Sequence, residues 1–192
     1  MVVSLARMKI IGFIGMPGSG KSEASEVAKS MGLKVVIMGD IIRQETARLG
    51  LEPTDENLGK VGNALRETDG PDAIARRSLD VAKGSGEDLV IIEGIRSKIE
   101  VDHFKANSDE FKLVEIWTPP EARLKRLASR RRSDDGAISY ESLKRRESRE
   151  MGWGMGEATK SADVRICNEG SIEDLRNSVR QFLRLCSRDL EK

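Results

Sequence analysis

Two stretches of the chain carry residue types that handle phosphate. The first is GMPGSGKS, Gly15 to Ser22, which directly follows the apolar run MKIIGFI. G-x-x-x-x-G-K-S between a strand and a helix lets glycines turn successive backbone N–H groups toward one anion. Gly15, Gly18 and Gly20 supply that freedom, while Met16, Pro17 and Ser19 complete the loop. A helix beginning near Lys21 adds its unpaired N–H groups and the positive end of its dipole. In this arrangement Lys21 reaches the β- and γ-phosphates, the Ser22 hydroxyl ligates Mg2+, and Glu23 follows in the same helical turn. An ordinary glycine turn accounts for neither the lysine nor the hydroxyl. The loop therefore predicts a bound nucleoside triphosphate.

The second stretch is basic. RLKRLASRRR and LKRRESR crowd between Arg123 and Arg149, although the whole chain has a net charge of only +1. Such a block is either a solvated helix pair or a local trap for polyphosphate. Arg126 and Arg130 stand one helical turn apart and share a face, so one can stack on a base while the other meets a phosphate. Arg145 and Arg149 are also four apart, and are expected to swing inward on lid closure and neutralise a transferring phosphoryl group. Arg131, Arg132 and Arg146 are expected to face solvent.

Two further positions look toward a second ligand. Arg43 in GDIIR (Gly39 to Arg43) and Arg96 in EGIRS (Glu93 to Ser97) each follow the end of an apolar run. The C-terminal ends of parallel strands are where α/β sheets bind ligands, and a guanidinium grips phosphate through two parallel hydrogen bonds. Both arginines are expected to hold an acceptor, with Gly94 in the same turn. Asp40 is the informative acid: a phosphate acceptor needs no base, whereas a hydroxyl acceptor needs a carboxylate to take its proton. Glu93 is expected to hold Mg2+ through water or to orient Lys21. His103 reads as structural or exposed. Trp117 and Trp153 read as packing residues, with acceptor contact at Trp153 as the alternative. Gly152, Gly154 and Gly156 read as lid hinges or a plain loop.

The elements that must position these residues alternate as a parallel α/β sheet requires. KIIGFI, KVVIM (Lys34 to Met38), DLVIIE (Asp88 to Glu93), KLVEIW (Lys112 to Trp117) and ADVRIC (Ala162 to Cys167) read as five strands. Ala24, Val27, Ala28 and Met31 recur at helical spacing behind the loop, and Gly32 ends that helix. IIRQETARLG, TDENLGKVGNALRE and PDAIARRSLDVAK predict three helices inserted between the second and third strands. SIEDLRNSVRQFLRLC closes the chain with a Ser171–Asp174 capping pattern and a stripe of Ile172, Leu175, Val179, Phe182 and Cys186.

Composition sets the outer limits. With 192 residues, 38% hydrophobic and 34% charged, the chain can bury one sizeable core. The balanced charge demands neither a nucleic-acid nor a membrane partner. Cys167 and Cys186 fit no zinc spacing and read as reduced thiols, no run reaches membrane-span length, and the N-terminus lacks a signal-peptide pattern. The expected location is cytoplasmic, with Met1 or Met8 as the start. A guanine-reading N/T-K-x-D element is missing, since TKSAD at Thr159 to Asp163 has one residue too many. Nothing after Glu93 looks like the sensor segment of a motor ATPase.

GDIIR resembles the acceptor-binding element of adenylate kinases and, more loosely, the D-x-x-x-R of dephospho-CoA kinases. EGIRS resembles the turn that ends the third strand of nucleoside monophosphate kinases, and RLASR (Arg126 to Arg130) the paired arginines where their lid begins. NEGS (Asn168 to Ser171) resembles the adenine-side loop of dephospho-CoA kinases. With WGMG (Trp153 to Gly156), the pattern is similar to an archaeal family described as adenylate-kinase-related or dephospho-CoA-kinase-like. The resemblance implies a three-layer α/β/α P-loop kinase fold with a central five-stranded parallel sheet. It implies a single domain over residues 1–192, with an acceptor-binding insertion at about 40–85 and a short lid at about 126–156. ATP and Mg2+ are the implied cofactors, with Arg126, Asn168 and Gly170 on the adenine side. The implied partner is a nucleotide-like small-molecule acceptor, in a monomer or homodimer. The alternatives are phosphorylation of dephospho-CoA on a ribose hydroxyl and, from another class, an ATP-binding regulator or slow ATPase. The proline-containing acceptor turn and the four-cysteine zinc lid of related kinases are absent here.

Overall fold

The computed structural model describes residues 8–129 and 140–188. Its five strands are β1 (Lys9–Ile14), β2 (Lys34–Ile37), β3 (Leu89–Glu93), β4 (Glu110–Trp117) and β5 (Val164–Cys167). They form one sheet in the order β2-β3-β1-β4-β5, and every pairing is parallel. Strands covered on both faces read as continuous aliphatic runs, and LVIIE of β3 is buried at all five positions.

Helices cover both faces. On one side, Ile11, Phe13, Ile91, Val114 and Ile116 pack with α1 (Lys21–Ser30) and the C-terminal α9 (Ile172–Arg188). On the other, Ile10, Ile14, Val90 and Ile92 meet the inserted helices α2 (Met38–Arg48), α3 (Asp55–Thr68) and α4 (Ala73–Gly84). Phe104 of α5 (Lys98–Ala106) and Met155 of α8 (Met155–Lys160) complete that side. Residues of β1 therefore alternate between the two cores, as the two-residue period of a strand dictates. The remaining helices, α6 (Pro120–Ser129) and α7 (Tyr140–Gly152), flank the undescribed stretch 130–139.

Local chemistry sets the helix starts. Thr54 accepts the Asn57 N–H at 3.2 Å to open α3, and Ser97 with Glu100 forms a reciprocal capping box on α5. Ser171 and Asp174 exchange hydrogen bonds at 2.8 and 3.1 Å at the start of α9.

Four strand boundaries differ from the sequence reading: β3 begins at Leu89 rather than Asp88 and β4 at Glu110 rather than Lys112. The second strand stops at Ile37 rather than Met38, and α2 begins at Met38 rather than Ile41, so Gly39, Asp40 and Arg43 lie in its first turns. The helix can begin this early because the Asp40 carboxylate sits where the dipole is positive. The last strand begins at Val164 rather than Ala162. The Asp163 carboxylate takes the Leu113 N–H at 2.7 Å, so the side chain stands in for a strand-like backbone contact at that point.

Because all five strands run the same way, their C-terminal ends share one edge. The phosphate loop, the start of α2, the Glu93–Arg96 turn, Thr118 and Asn168 all emerge there.

Candidate active site

The loop is held from behind. Gly18 and Gly20 have φ of +78° and +106°, in the region that favours glycine. A Cβ on Gly20 would stand 2.5 Å from Asn168 Nδ2, and one on Gly18 would stand 2.8 Å from the Arg123 carbonyl oxygen. The contacts that crowd these glycines also restrain the loop. Thr118 Oγ1 and Asn168 Nδ2 donate to the Ser19 carbonyl at 2.9 and 2.8 Å, and Arg123 Nη1 donates to the Pro17 carbonyl at 3.3 Å. Thr118 and Arg123 were not picked out from sequence; the available signal was the TPP turn closing β4. These contacts tie down the Pro17 and Ser19 carbonyls, and the Ser19 N–H closes the turn by donating to the Met16 carbonyl at 3.1 Å.

Lys21 is buried, with Nζ 2.5 Å from the Gly15 carbonyl and 3.1 Å from that of Met16. Burial, followed by the positive charges of Arg96 and Arg146, pushes its pKa down to about 7, against the pull of Glu150 and Glu93. Glu93 is also buried. One oxygen accepts from Ser22 Oγ at 3.2 Å and the other from Ser25 Oγ at 2.8 Å. Ser22 and Glu93 thus present a hydroxyl and a carboxylate side by side, a hard-oxygen pair that fits Mg2+ shared with phosphates.

A cleft of about 950 Å³ extends from this loop in both directions, at the upper end of the range for small-molecule sites. At one end, Arg126 donates to Thr118 Oγ1 and to the Asn168 carbonyl, both at 3.1 Å, beside Gly170 and the apolar Ile172 and Leu175. The three residues expected on the adenine side are therefore neighbours. At the other end, the wall is built by α2, the Glu93–Arg96 turn, α3 and α7. There Asp40 pairs with Arg43 at 2.8 Å, Arg96 Nε lies 3.3 Å from Glu150 Oε1, and Arg149 meets Asp55 at 2.9 Å.

The basic block is corrected by helix geometry. Leu143, Arg146 and Glu150 are three and four residues apart and form the inward stripe of α7, with Arg149 beside it. Arg146 consequently lines the cleft instead of facing solvent. Arg145 points to the opposite side, is exposed and does not line the cleft. Arg130, Arg131 and Arg132 lie outside the described residues. Trp153 lines the cleft as well as packing, for its Nε1 donates to Asn63 Oδ1 at 2.8 Å and the Arg66 guanidinium lies 4.3 Å from its ring centroid. His103 is half-buried against Asp72 at 3.0 Å, away from the cleft.

Asp55, Gly59 and Glu150 also line the cleft and were not selected from sequence. Arg149 lies directly on Gly59, where a Cβ would stand 2.8 Å from Nη1. Six buried side-chain polar atoms lack a hydrogen-bond partner among the described residues, and four of them belong to the cleft-lining Ser19, Arg96, Arg149 and Glu150. Unsatisfied valence thus gathers around the cleft rather than in the core.

Relatives agree with this architecture. The AAA domain family matches residues 14–144. A UPF0200 protein of Methanothrix thermoacetophila is 54% identical over 92% of this chain and 97% of its own. The chain belongs to the UPF0200 family, with an AAA domain. Among solved structures, shikimate kinase from Aquifex aeolicus is similar with a TM-score of 0.52 and 18% identity, covering 91% of this chain and 96% of that one. A gluconokinase from Sinorhizobium meliloti gives 0.56 and 14%, covering 97% and 96%. At such identities the likeness shows the fold, which in this UPF0200 protein is the three-layer P-loop kinase fold with an all-parallel five-stranded sheet. Among its described residues no helix is long and apolar enough to cross a membrane.

Proposed function

We propose that this UPF0200 protein is an ATP-dependent small-molecule kinase, transferring the γ-phosphoryl group of MgATP to an acceptor seated between α2, α3 and α7. The observation that carries this reading is one continuous cleft, in which the phosphate loop faces a group of arginines contributed by three separate segments. A hydrolase needs room for one ligand and a water; a kinase needs two ligands end to end, with water excluded. The P-loop kinase fold adds support at the level of fold alone.

In this reading the loop amides and Lys21 hold the polyphosphate, and Arg126, Asn168 and Gly170 border the base. Ser22 and Glu93 hold Mg2+, which when bound supplies neutralising charge to the phosphate oxygens. Arg146 and Arg149, joined by Arg130 from the undescribed stretch, offset charge that builds on the moving phosphoryl group. Arg145, exposed on the far side of α7, has no part in it. Asp40, Arg43, Gly94 and Arg96 border the acceptor. The acceptor nucleophile bonds to the γ-phosphorus, the bond to the β–γ bridging oxygen breaks, and ADP leaves with the electron pair.

The test is ADP formation from MgATP with nucleoside monophosphates, dephospho-CoA, nucleosides and polyol acids, each against a control without acceptor. ADP that rises with one acceptor class is expected. Equal turnover with and without every acceptor would replace this reading with a slow ATPase or a nucleotide-binding regulator.

A further inference from the structure

Four arginines line the acceptor end, and each already faces a carboxylate. Arg43 pairs with Asp40 at 2.8 Å and Arg149 with Asp55 at 2.9 Å. Arg96 and Arg146 share Glu150 Oε1 at 3.3 and 3.4 Å, and Arg146 lies 3.7 Å from Asp55. Among the described cleft-lining residues of this wall the four arginines are therefore matched by four carboxylates, Asp40, Asp55, Glu93 and Glu150. A monophosphate acceptor brings close to two negative charges next to those of MgATP, and it needs guanidinium forks open for paired hydrogen bonds. Here each guanidinium already contacts a carboxylate, with Arg96 Nη1 and Arg149 Nε left without a partner. A hydroxyl acceptor asks for something different: a carboxylate to receive its hydrogen and an N–H to donate to its oxygens.

Glu150 and Arg96 offer that combination. Glu150 is only 2% exposed, lines the cleft, and has an Oε2 without a hydrogen-bond partner; Arg96 Nη1 is likewise buried and unpartnered. Such unmet valence is costly in a protein interior and calls for an explanation, which a ligand that completes it supplies. The pair lines the same cleft as Lys21 and Glu93, from the Glu93–Arg96 turn and α7. The Asp40 side chain, by contrast, is 51% exposed and held by Arg43.

We propose that the acceptor is a neutral or singly charged hydroxyl compound, held at the γ-phosphate by Arg96 and Glu150, and that Glu150 takes its proton. This rests on the kinase reading above. The hydroxyl oxygen bonds to the γ-phosphorus, its hydrogen passes to Glu150 Oε2 and then to solvent, and ADP departs with the electrons of the broken bond. A phosphate nucleophile would have no proton to give, and the carboxylate would only repel it.

Two measurements test this without knowing the acceptor. In the first, protein saturated with Mg2+ and a non-hydrolysable ATP analogue is titrated calorimetrically with AMP and with inorganic phosphate. Wild type is expected to show no binding tighter than about 1 mM. Glu150→Gln should bind the anion at least about tenfold more tightly, because a charge that repels it is gone. Asp55→Asn, at a more exposed position, should shift affinity in the same direction and decides the matter if Glu150→Gln does not fold. Micromolar monophosphate binding to wild type, or unchanged affinity in a folded variant, overturns the proposal. In the second, water serves as the smallest hydroxyl acceptor. Intrinsic MgATP hydrolysis should fall about 100-fold in Glu150→Gln, further than in Asp40→Asn; the reverse order removes Glu150 as proton acceptor. Failure of the analogue to bind is a separate result, which overturns the kinase reading and this proposal with it.

Discussion

The two ends of the cleft are held by different kinds of force. At the phosphate loop, position comes from backbone: glycines at positive φ, carbonyls tied down by Thr118, Asn168 and Arg123, and a lysine buried against them. At the acceptor end, position comes from side chains on separate helices, joined by ion pairs such as Arg149–Asp55 and capped by the Trp153–Asn63 hydrogen bond. Backbone contacts of the first kind admit few alternatives, since each replacement collides or leaves a buried carbonyl unpaired. The Arg149–Asp55 and Arg43–Asp40 pairs are partly solvated, individually modest and exchangeable for a ligand. On the proposed reading, the loop end holds one generic group and the acceptor end rearranges around a particular one.

That contrast is most sharply tested at Lys21. Lys21→Ala should lower kcat/KM by about 10²–10³-fold in a steady-state ADP assay, the range for losing one preorganised charge donor to the transition state. A smaller loss would mean that the arginine side, rather than the loop, carries the transferring charge.

Lys21 also predicts a pH signature. Its pKa is depressed to about 7, and a bound polyphosphate raises it again. Nucleotide binding above pH 7 should therefore take up a proton, and affinity should weaken as pH rises, by up to about tenfold per unit. Calorimetry at pH 8 in two buffers of different ionisation enthalpy measures the uptake. The sign for stability is opposite: between pH 7 and the lysine's unfolded value of 10.5 the unfolded chain binds more protons, so this group's contribution to stability improves as pH rises. Equal heats in both buffers would contradict the depressed pKa.

Gly59→Ala probes the acceptor end alone. The new Cβ meets the end of the Arg149 side chain, which can move, while alanine favours a helix interior by about 0.5–1 kcal/mol over glycine. Thermal stability should stay level or rise, and kcat should drop several-fold as Arg149 is displaced. A matching loss of stability would mean that α3 cannot shift and the end is as rigid as the loop. Arg145→Ala should have the smallest effect, less than about twofold on turnover, whereas Arg146→Ala should be strongly impaired in the same assay.

Most of the frame was legible because it is written in local signals. Apolar runs marked all five strands, the Ser171–Asp174 pair marked the start of α9, and the loop announced itself by spacing. The acceptor end was legible only in outline. Arg145 and Arg146 are adjacent and chemically identical, and what separates them is which face of α7 carries Leu143 and Glu150 inward. Asp55 reaches Arg149 across 94 positions of sequence, and Asn63 reaches Trp153 across 90. No local pattern contains such partners.

The sequence by itself determined the phosphate loop and the parallel sheet, because backbone freedom and apolar runs act over a few residues. Only the tertiary structure decided that the arginines facing the loop are matched by carboxylates and that Glu150 stands among them. Charge pairing depends on distance in space, and folding sets that distance after every local preference has been met.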